Sequence, residues 1–139
     1  MTFRKADWLW NGLRPAYNGL VNRLAPRGLE RVINGTDRVL LGPEWRAVTE
    51  AYEPEVWAHV MANVRAGDRI ADVGAFIGLY ALTLGKRIGA AGRVTAFEPD
   101  EQSCAVVRRH IEMNGLQGRV EAVRSAVQRA SDQGREIIV

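Results

Sequence analysis

Apolar residues recur along the chain with a spacing that changes from one segment to the next. Residues 3–24 have them at a helical spacing, which predicts an amphipathic helix with a break or kink at Pro15. Residues 29–50 look extended. Asn34-Gly35 lies between two short apolar runs there, which predicts a β-hairpin over residues 31–41.

From residue 51 onward, short buried strands are predicted to alternate with helices. Tyr52-Glu53-Pro54-Glu55 opens the first helix, because proline fits a first helical turn and acids suit its positive end. The order that follows is strand 69–74, helix 77–88, strand 93–98, helix 100–114 and strand 119–124. Two strand–helix–strand units imply a parallel sheet with right-handed crossovers. The predicted fold class is therefore α/β, with an N-terminal extension (residues 1–50) and a main domain (residues 51–139).

The turn after the first parallel strand has the sequence Asp72-Val73-Gly74-Ala75-Phe76-Ile77-Gly78. Small residues in such a turn let a ligand approach the backbone, and amides at the helix start favour electronegative ligand groups. Glu98 stands at the carboxyl end of the next strand, where an acid can accept hydrogen bonds from two ribose hydroxyls. Taken singly, the glycines also fit tight strand–helix packing and Glu98 also fits a surface acid. Together they predict a nucleoside site.

The acid at the start of this turn bears on which nucleoside binds. A carboxylate at Asp72 attracts an ammonium group and repels a phosphate, and the bulky Phe76 obstructs the approach of a pyrophosphate. S-adenosylmethionine carries both an ammonium and a sulfonium group. The site chemistry therefore favours this cofactor, and a fragment of an NAD-dependent oxidoreductase is the less favoured alternative.

Residues 72–80, 92–99 and 114–116, with the lead-in at 52–55 and 66–68, resemble the FkbM family of class I S-adenosylmethionine-dependent methyltransferases. The resemblance covers about residues 50–130. It implies a Rossmann-like sheet and O-methylation of a small-molecule acceptor such as a sugar or a secondary metabolite. Phe76 departs from the family pattern, in which asparagine is frequent at this position.

The resemblance also implies roles for matching positions. The glycine loop would line the methionine end of the cofactor, Glu98 would hold the ribose, and the residues just past the third strand would approach the adenine. The predicted cofactor-binding residues are Asp72, Gly74, Ala75, Phe76, Gly78, Glu98, Ser125 and Ala126.

The family fold has more strands, in a chain roughly twice as long. This sequence supplies about three of the parallel strands, and residues 135–139 could begin another. The sequence therefore predicts an incomplete domain whose first parallel strand offers an open edge, unless the N-terminal hairpin covers it. A truncated methyltransferase and a non-catalytic remnant that holds the cofactor both stay open, and no residue is assigned to catalysis.

The amino-acid composition bears on disorder, disulfides, metal sites and cellular compartment. Hydrophobic residues make up 47% and charged residues 25% of the 139 residues, which is typical of a globular chain rather than a disordered one. The single cysteine, Cys104, is expected to be a small buried residue, and it excludes a disulfide framework. His59 and His110 are expected at the surface, so no metal site is predicted. A chain with one cysteine and no recognisable secretory signal is expected in the cytoplasm.

Charge is uneven along the chain. The net charge of +3 is too small to indicate nucleic-acid binding, but residues 1–40 hold seven basic and three acidic residues. Trp8 and Trp10 lie in this basic segment. A helix that packs its tryptophans on the domain is favoured over an interfacial membrane helix, because the basic residues are spread along the segment.

Overall fold

The computed structural model describes residues 7–48 and 50–127. Within them lie four α-helices, five strands and a short 3₁₀ helix (Pro43–Trp45). The helices are α1 (Asp7–Leu24), α2 (Pro54–Asn63), α3 (Leu79–Arg87) and α4 (Glu101–Met113). The strands are β1 (Leu29–Ile33), β2 (Asp37–Leu41), β3 (Arg69–Val73), β4 (Arg93–Phe97) and β5 (Val120–Val123). The predicted α/β fold class, with its strand–helix alternation and its N-terminal hairpin, is confirmed.

The hairpin forms where the Asn-Gly pair predicts it. β1 and β2 pair antiparallel, with Ile33 opposite Asp37, so that residues 34–36 make the turn. Asn34 and Gly35 both have positive φ, at 49° and 72°, which is the conformation that this turn requires. The Asn34 amide side chain also pairs with the Tyr52 backbone, at 2.8 and 2.9 Å. The turn thereby fixes the segment that leads into α2.

The hairpin packs on helices α3 and α4 rather than on the edge of the parallel sheet. Its residues Ile33, Val39 and Leu41 are fully buried in the same core as those helices. The Asn114 side chain, at the end of α4, bonds the Leu40 N–H and C=O at 3.0 and 2.8 Å. β1 and β2 form a sheet of their own, so the hairpin, which was one way of covering the open edge of β3, does not pair with it.

The second sheet is parallel, in the order β3-β4-β5. Val94 and Ala96 are buried on the face that meets α3 and α4, whereas Val73 is 60% exposed. The prediction of a buried strand at 69–74 is therefore wrong, because alternate residues of β3 are exposed to solvent. Within the described residues β3 is an edge strand, and helices cover one face of the sheet.

Helix α1 continues through Pro15 without ending there, so the predicted break is wrong. Pro15 is exposed, and water can satisfy the carbonyl that its missing N–H leaves free. No helix in the described ranges is both long and apolar enough to cross a membrane. The predicted start of helix α1 at residues 3–6, and the strand considered at 135–139, lie outside the described residues.

Candidate functional site

The glycine loop makes a tight turn between β3 and α3. The N–H groups of Gly74 and Ala75 both donate to the Phe97 carbonyl, at 2.9 and 3.1 Å, and Gly78 N–H donates to the Ala75 carbonyl at 2.7 Å. Gly74, Phe76 and Gly78 have positive φ, at 78°, 52° and 87°. Glycine tolerates a positive φ, so Gly74 and Gly78 are unstrained, whereas Phe76 has a strained backbone conformation.

Gly74 and Gly78 are required for different structural reasons. A Cβ on Gly74 would meet no heavy atom within 4 Å, so its positive φ is the requirement there. A Cβ on Gly78 would lie 3.2 Å from the Val107 side chain, and Gly78 also caps α3. Gly78 therefore permits close packing of α3 on α4. It does not line the cavity beside the loop, which is described below.

Glu98 ties this loop to the start of α4. Its side chain is almost buried, at 8% exposure. One carboxylate oxygen accepts from Phe76 N–H at 2.8 Å, and the other accepts from Asp100 N–H at 3.0 Å. Glu98 does not itself line the cavity described next, but it fixes the position of the loop that does.

A cavity of about 280 Å³ lies beside the loop, at the carboxyl end of β3. Loop residues line it, and so do Tyr52 and Glu53 ahead of α2 and Tyr80 in the first turn of α3. Within the described part of the chain, the cavity is lined by two ionisable carboxylates, Glu53 and Asp72, and by no lysine, arginine or histidine. The cavity is therefore acidic without a compensating cation.

The surroundings of Asp72 oppose its negative charge, which a bound cation would stabilise. Asp72 accepts a hydrogen bond from Ala81 N–H at 3.0 Å, but burial raises the pKa of its carboxyl, and the charge on Glu98 raises it further. Tyr80 donates its hydroxyl to Glu53 at 3.0 Å. Burial and that hydrogen bond to Glu53 raise the pKa of Tyr80 to about 12. A bound cation would lower the energy of both carboxylates.

The two tyrosines that line the cavity belong to an aromatic cluster with Trp57. The Trp57 and Tyr80 ring centroids lie 4.8 Å apart, and the Tyr52 ring meets both of them edge-on. The indole N–H of Trp57 donates to Asp37 at 2.9 Å. The hairpin and α2 thus hold the two tyrosines in place through Trp57.

Ser125 and Ala126 follow β5 and do not line this cavity. The Ser125 hydroxyl donates to the Ala126 carbonyl at 3.2 Å. Both residues lie beyond the carboxyl end of β5, as Glu98 lies beyond the carboxyl end of β4. The Glu98 N–H donates to the Val123 carbonyl at 3.1 Å. The structure therefore brings Asp72 and the loop together at one cavity and leaves Ser125 and Ala126 to one side.

Six residues that line the cavity are not among the predicted site residues, namely Tyr52, Glu53, Val73, Ile77, Leu79 and Tyr80. Glu53 and Tyr80 are the two of them that bear on its chemistry. Glu53 was explained by the helix start that it precedes, and Tyr80 by the family pattern. The contact between them joins residues that are 27 positions apart. The one available signal was the Tyr52-Glu53-Pro54-Glu55 lead-in, which places an acid ahead of the strand that carries Asp72.

The histidine and cysteine predictions have mixed outcomes. His59 is exposed and Cys104 is buried, as expected. His110 is fully buried, so the prediction of a surface histidine is wrong. The hairpin covers that face of α4, and Gly42 N–H donates to the imidazole at 2.9 Å. The described residues contain no group of three or more potential metal ligands.

A second cavity, of about 310 Å³, lies at the opposite end of the parallel sheet. Its lining includes Arg69, Arg93 and Arg119, at or next to the amino ends of the three strands. Ligands of open α/β sheets bind outside the carboxyl ends of the strands. The cavity beside the glycine loop is therefore the candidate functional site.

Comparison with solved structures bears on the fold. A candidate rRNA methylase from Clostridium thermocellum aligns with a TM-score of 0.50 at 21% identity, over 52% of this chain and 39% of that one. A candidate transferase from Pyrococcus horikoshii aligns with a TM-score of 0.50 at 21% identity, over 70% and 36%. The fold is Rossmann-like, as in methyltransferases. The chain spans well under half the length of either structure.

A SAM-dependent O-methyltransferase from Thermotoga maritima aligns at 26% identity over 58% of this chain and 30% of that one, with a TM-score of 0.49. No protein-family model and no curated protein matches the chain. The resemblance to the FkbM family therefore stays a prediction from the sequence.

Proposed function

We propose that this chain binds S-adenosylmethionine beside the glycine loop and forms the cofactor-binding part of a methyltransferase. The observation that carries the proposal is the cavity at the carboxyl end of β3, which two carboxylates line without any basic side chain. A ligand with an ammonium and a sulfonium group suits that field. The pyrophosphate of a dinucleotide would meet two acids and no cation, which disfavours the NAD-dependent alternative. The methyltransferase-like fold supports the same conclusion.

The residues present fit the proposed cofactor. Glu53 and Asp72 would hold the ammonium of the methionine part, with Gly74 and Ala75 on the adjoining wall. Glu98 would hold the ribose, because each of its oxygens accepts one backbone hydrogen bond and keeps a further lone pair. Ser125 and Ala126 would approach the adenine.

The cofactor supplies an electrophilic methyl group, and transfer to an acceptor is an in-line displacement at that carbon. The protein contributes binding, alignment and the exclusion of water. In keeping with the FkbM resemblance, we propose a small-molecule acceptor whose oxygen is methylated, such as a sugar or a secondary metabolite. The second candidate function is a non-catalytic module built on the same acidic cavity. Such a module would bind the cofactor without transferring its methyl group to any acceptor.

The acidic pair provides the test of the binding role. Calorimetry would compare S-adenosylhomocysteine with methylthioadenosine, which has the same nucleoside but lacks the ammonium. We expect Glu53→Gln to weaken binding of the first ligand about tenfold, the size of one charge-assisted hydrogen bond, and to leave the second unchanged. Glu55→Gln is the matched control, since Glu55 is an exposed acid two positions along the chain. Equal weakening of both ligands by Glu53→Gln, or an equal effect of Glu55→Gln, would refute the assignment.

A further inference from the structure

One face of helix α1 carries four large apolar side chains that the described chain leaves open. Leu13, Tyr17, Leu20 and Leu24 recur at intervals of four, three and four residues. This spacing places them in one stripe along a helix. Their exposed fractions are 55%, 42%, 56% and 75%. The expected inward packing of the tryptophans concerns side chains outside the described part, so this apolar stripe is a separate observation.

Tyr17 is the member of the stripe through which α1 contacts the domain. The guanidinium of Arg46, just after the 3₁₀ helix, lies 5.0 Å from the centroid of the Tyr17 ring. Val21 is half-buried beside this attachment. The domain therefore holds α1 along one flank, and the three leucines of the stripe face away from the core.

Two arginines at the carboxyl end of the stripe make no ion pair within the described residues. Glu44 lies on the 3₁₀ helix that α1 contacts, and it pairs with Arg109 at 2.8 Å, so this acid is already neutralised. Arg23 lies in the last turn of α1, and Arg27 follows it. Both are exposed, and neither makes an ion pair within the described residues.

We propose that α1 docks on an anionic phospholipid surface, with the stripe of Leu13, Tyr17, Leu20 and Leu24 in the interface and Arg23 and Arg27 against the headgroups. An apolar stripe beside unpaired cations is the combination that such a surface binds. A second copy fits less well, because a two-fold contact would present the stripe with the same apolar and basic side chains and with no anionic group for Arg23 and Arg27. This inference does not depend on the proposed cofactor site.

Sedimentation with extruded vesicles tests the proposal. Vesicles of phosphatidylcholine alone would be compared with vesicles that also contain phosphatidylglycerol, at low and at high salt. We expect binding to the anionic vesicles that falls at high salt, and a loss of about tenfold in the partition coefficient for Leu20→Gln. Val56→Gln is the matched control, because Val56 is also 56% exposed but lies on α2.

Three results would overturn the proposal. The first is that the chain does not sediment with anionic vesicles. The second is that Val56→Gln weakens binding as much as Leu20→Gln. The third is a concentration-dependent dimer in light scattering that Leu20→Gln abolishes, which would make a second copy the occupant of the stripe. Circular dichroism of each variant confirms that the fold is retained, which is expected because both substituted side chains are exposed.

Discussion

His110 joins the N-terminal hairpin to the glycine loop, and removing its side chain tests that connection. Its Nε2 accepts from Gly42 N–H at 2.9 Å, which leaves Nδ1 as the donor to the Ile77 carbonyl at 2.8 Å. His110→Ala would leave both buried partners without a hydrogen bond, at about 1–3 kcal/mol for each group. We therefore expect the free energy of unfolding to fall by about 2–5 kcal/mol, once partial relaxation of the site is allowed for.

Urea unfolding followed by circular dichroism measures this loss. His59→Ala is the matched control, since His59 is exposed, and it should change the free energy of unfolding by less than about 0.5 kcal/mol. His110→Phe fills the space without restoring either hydrogen bond, so most of the loss should persist in it. A loss below about 1 kcal/mol for His110→Ala would refute the reasoning, because it would mean that neither buried bond matters.

The same side chain makes stability depend on pH. Burial lowers the pKa of His110 below its ordinary value; the charge of Arg109 acts in the same direction, and the Ile77 bond and Glu44 act against it. In the unfolded chain the imidazole takes up its proton near pH 6.5. Between the native pKa and about pH 6.5, the unfolded state therefore binds more protons, and stability falls as the pH falls.

His110→Gln should remove this dependence of stability on pH. It should leave unchanged the losses of stability that are expected at lower pH. Those losses come from acids such as Asp37 and Glu44, whose pKa values are lowered in the folded state by their hydrogen bonds despite the opposing effect of burial. Their contribution is present above the carboxyl range and is lost as the pH falls through it. An unchanged slope between pH 7 and pH 5 in the variant would contradict the assignment to His110.

Three further substitutions test the loop and the hairpin contact by urea unfolding. Phe76→Asn should raise the free energy of unfolding by about 0.5–1 kcal/mol, because asparagine tolerates the φ of 52° better; a decrease would contradict the strain. Gly78→Ala should lower it by about 1–3 kcal/mol, through its φ of 87° and the contact with Val107; an unchanged value would show that the helices can part. Asn114→Ala should lower it by about 1–3 kcal/mol and speed hydrogen exchange at Leu40, and unchanged exchange would count against this bond.

Local patterns predicted the elements of this chain well. Asn34-Gly35 located the hairpin turn because few residues adopt positive φ at both central positions. The glycine loop was recognisable because Gly74 meets a backbone requirement that is local in sequence. In each of these cases the determining physics acts within a few residues.

The features that were missed depend on contacts between distant residues. The burial of His110 follows from the hairpin, and its Gly42 partner lies 68 positions away. The exposure of Val73 depends on what covers the sheet face, which an apolar run cannot reveal. The pairing of Glu53 with Tyr80 likewise needs the fold before the two can be placed together.

Titration of the 139-residue chain with S-adenosylhomocysteine in a calorimeter, with NAD as the comparison ligand, tests the central proposal most directly. We predict saturable one-to-one binding of S-adenosylhomocysteine and no heat of binding for NAD, because the cavity holds Glu53 and Asp72 and no basic side chain. Binding of NAD with equal or higher affinity would contradict the account. So would the absence of S-adenosylhomocysteine binding by a chain that circular dichroism shows to be folded.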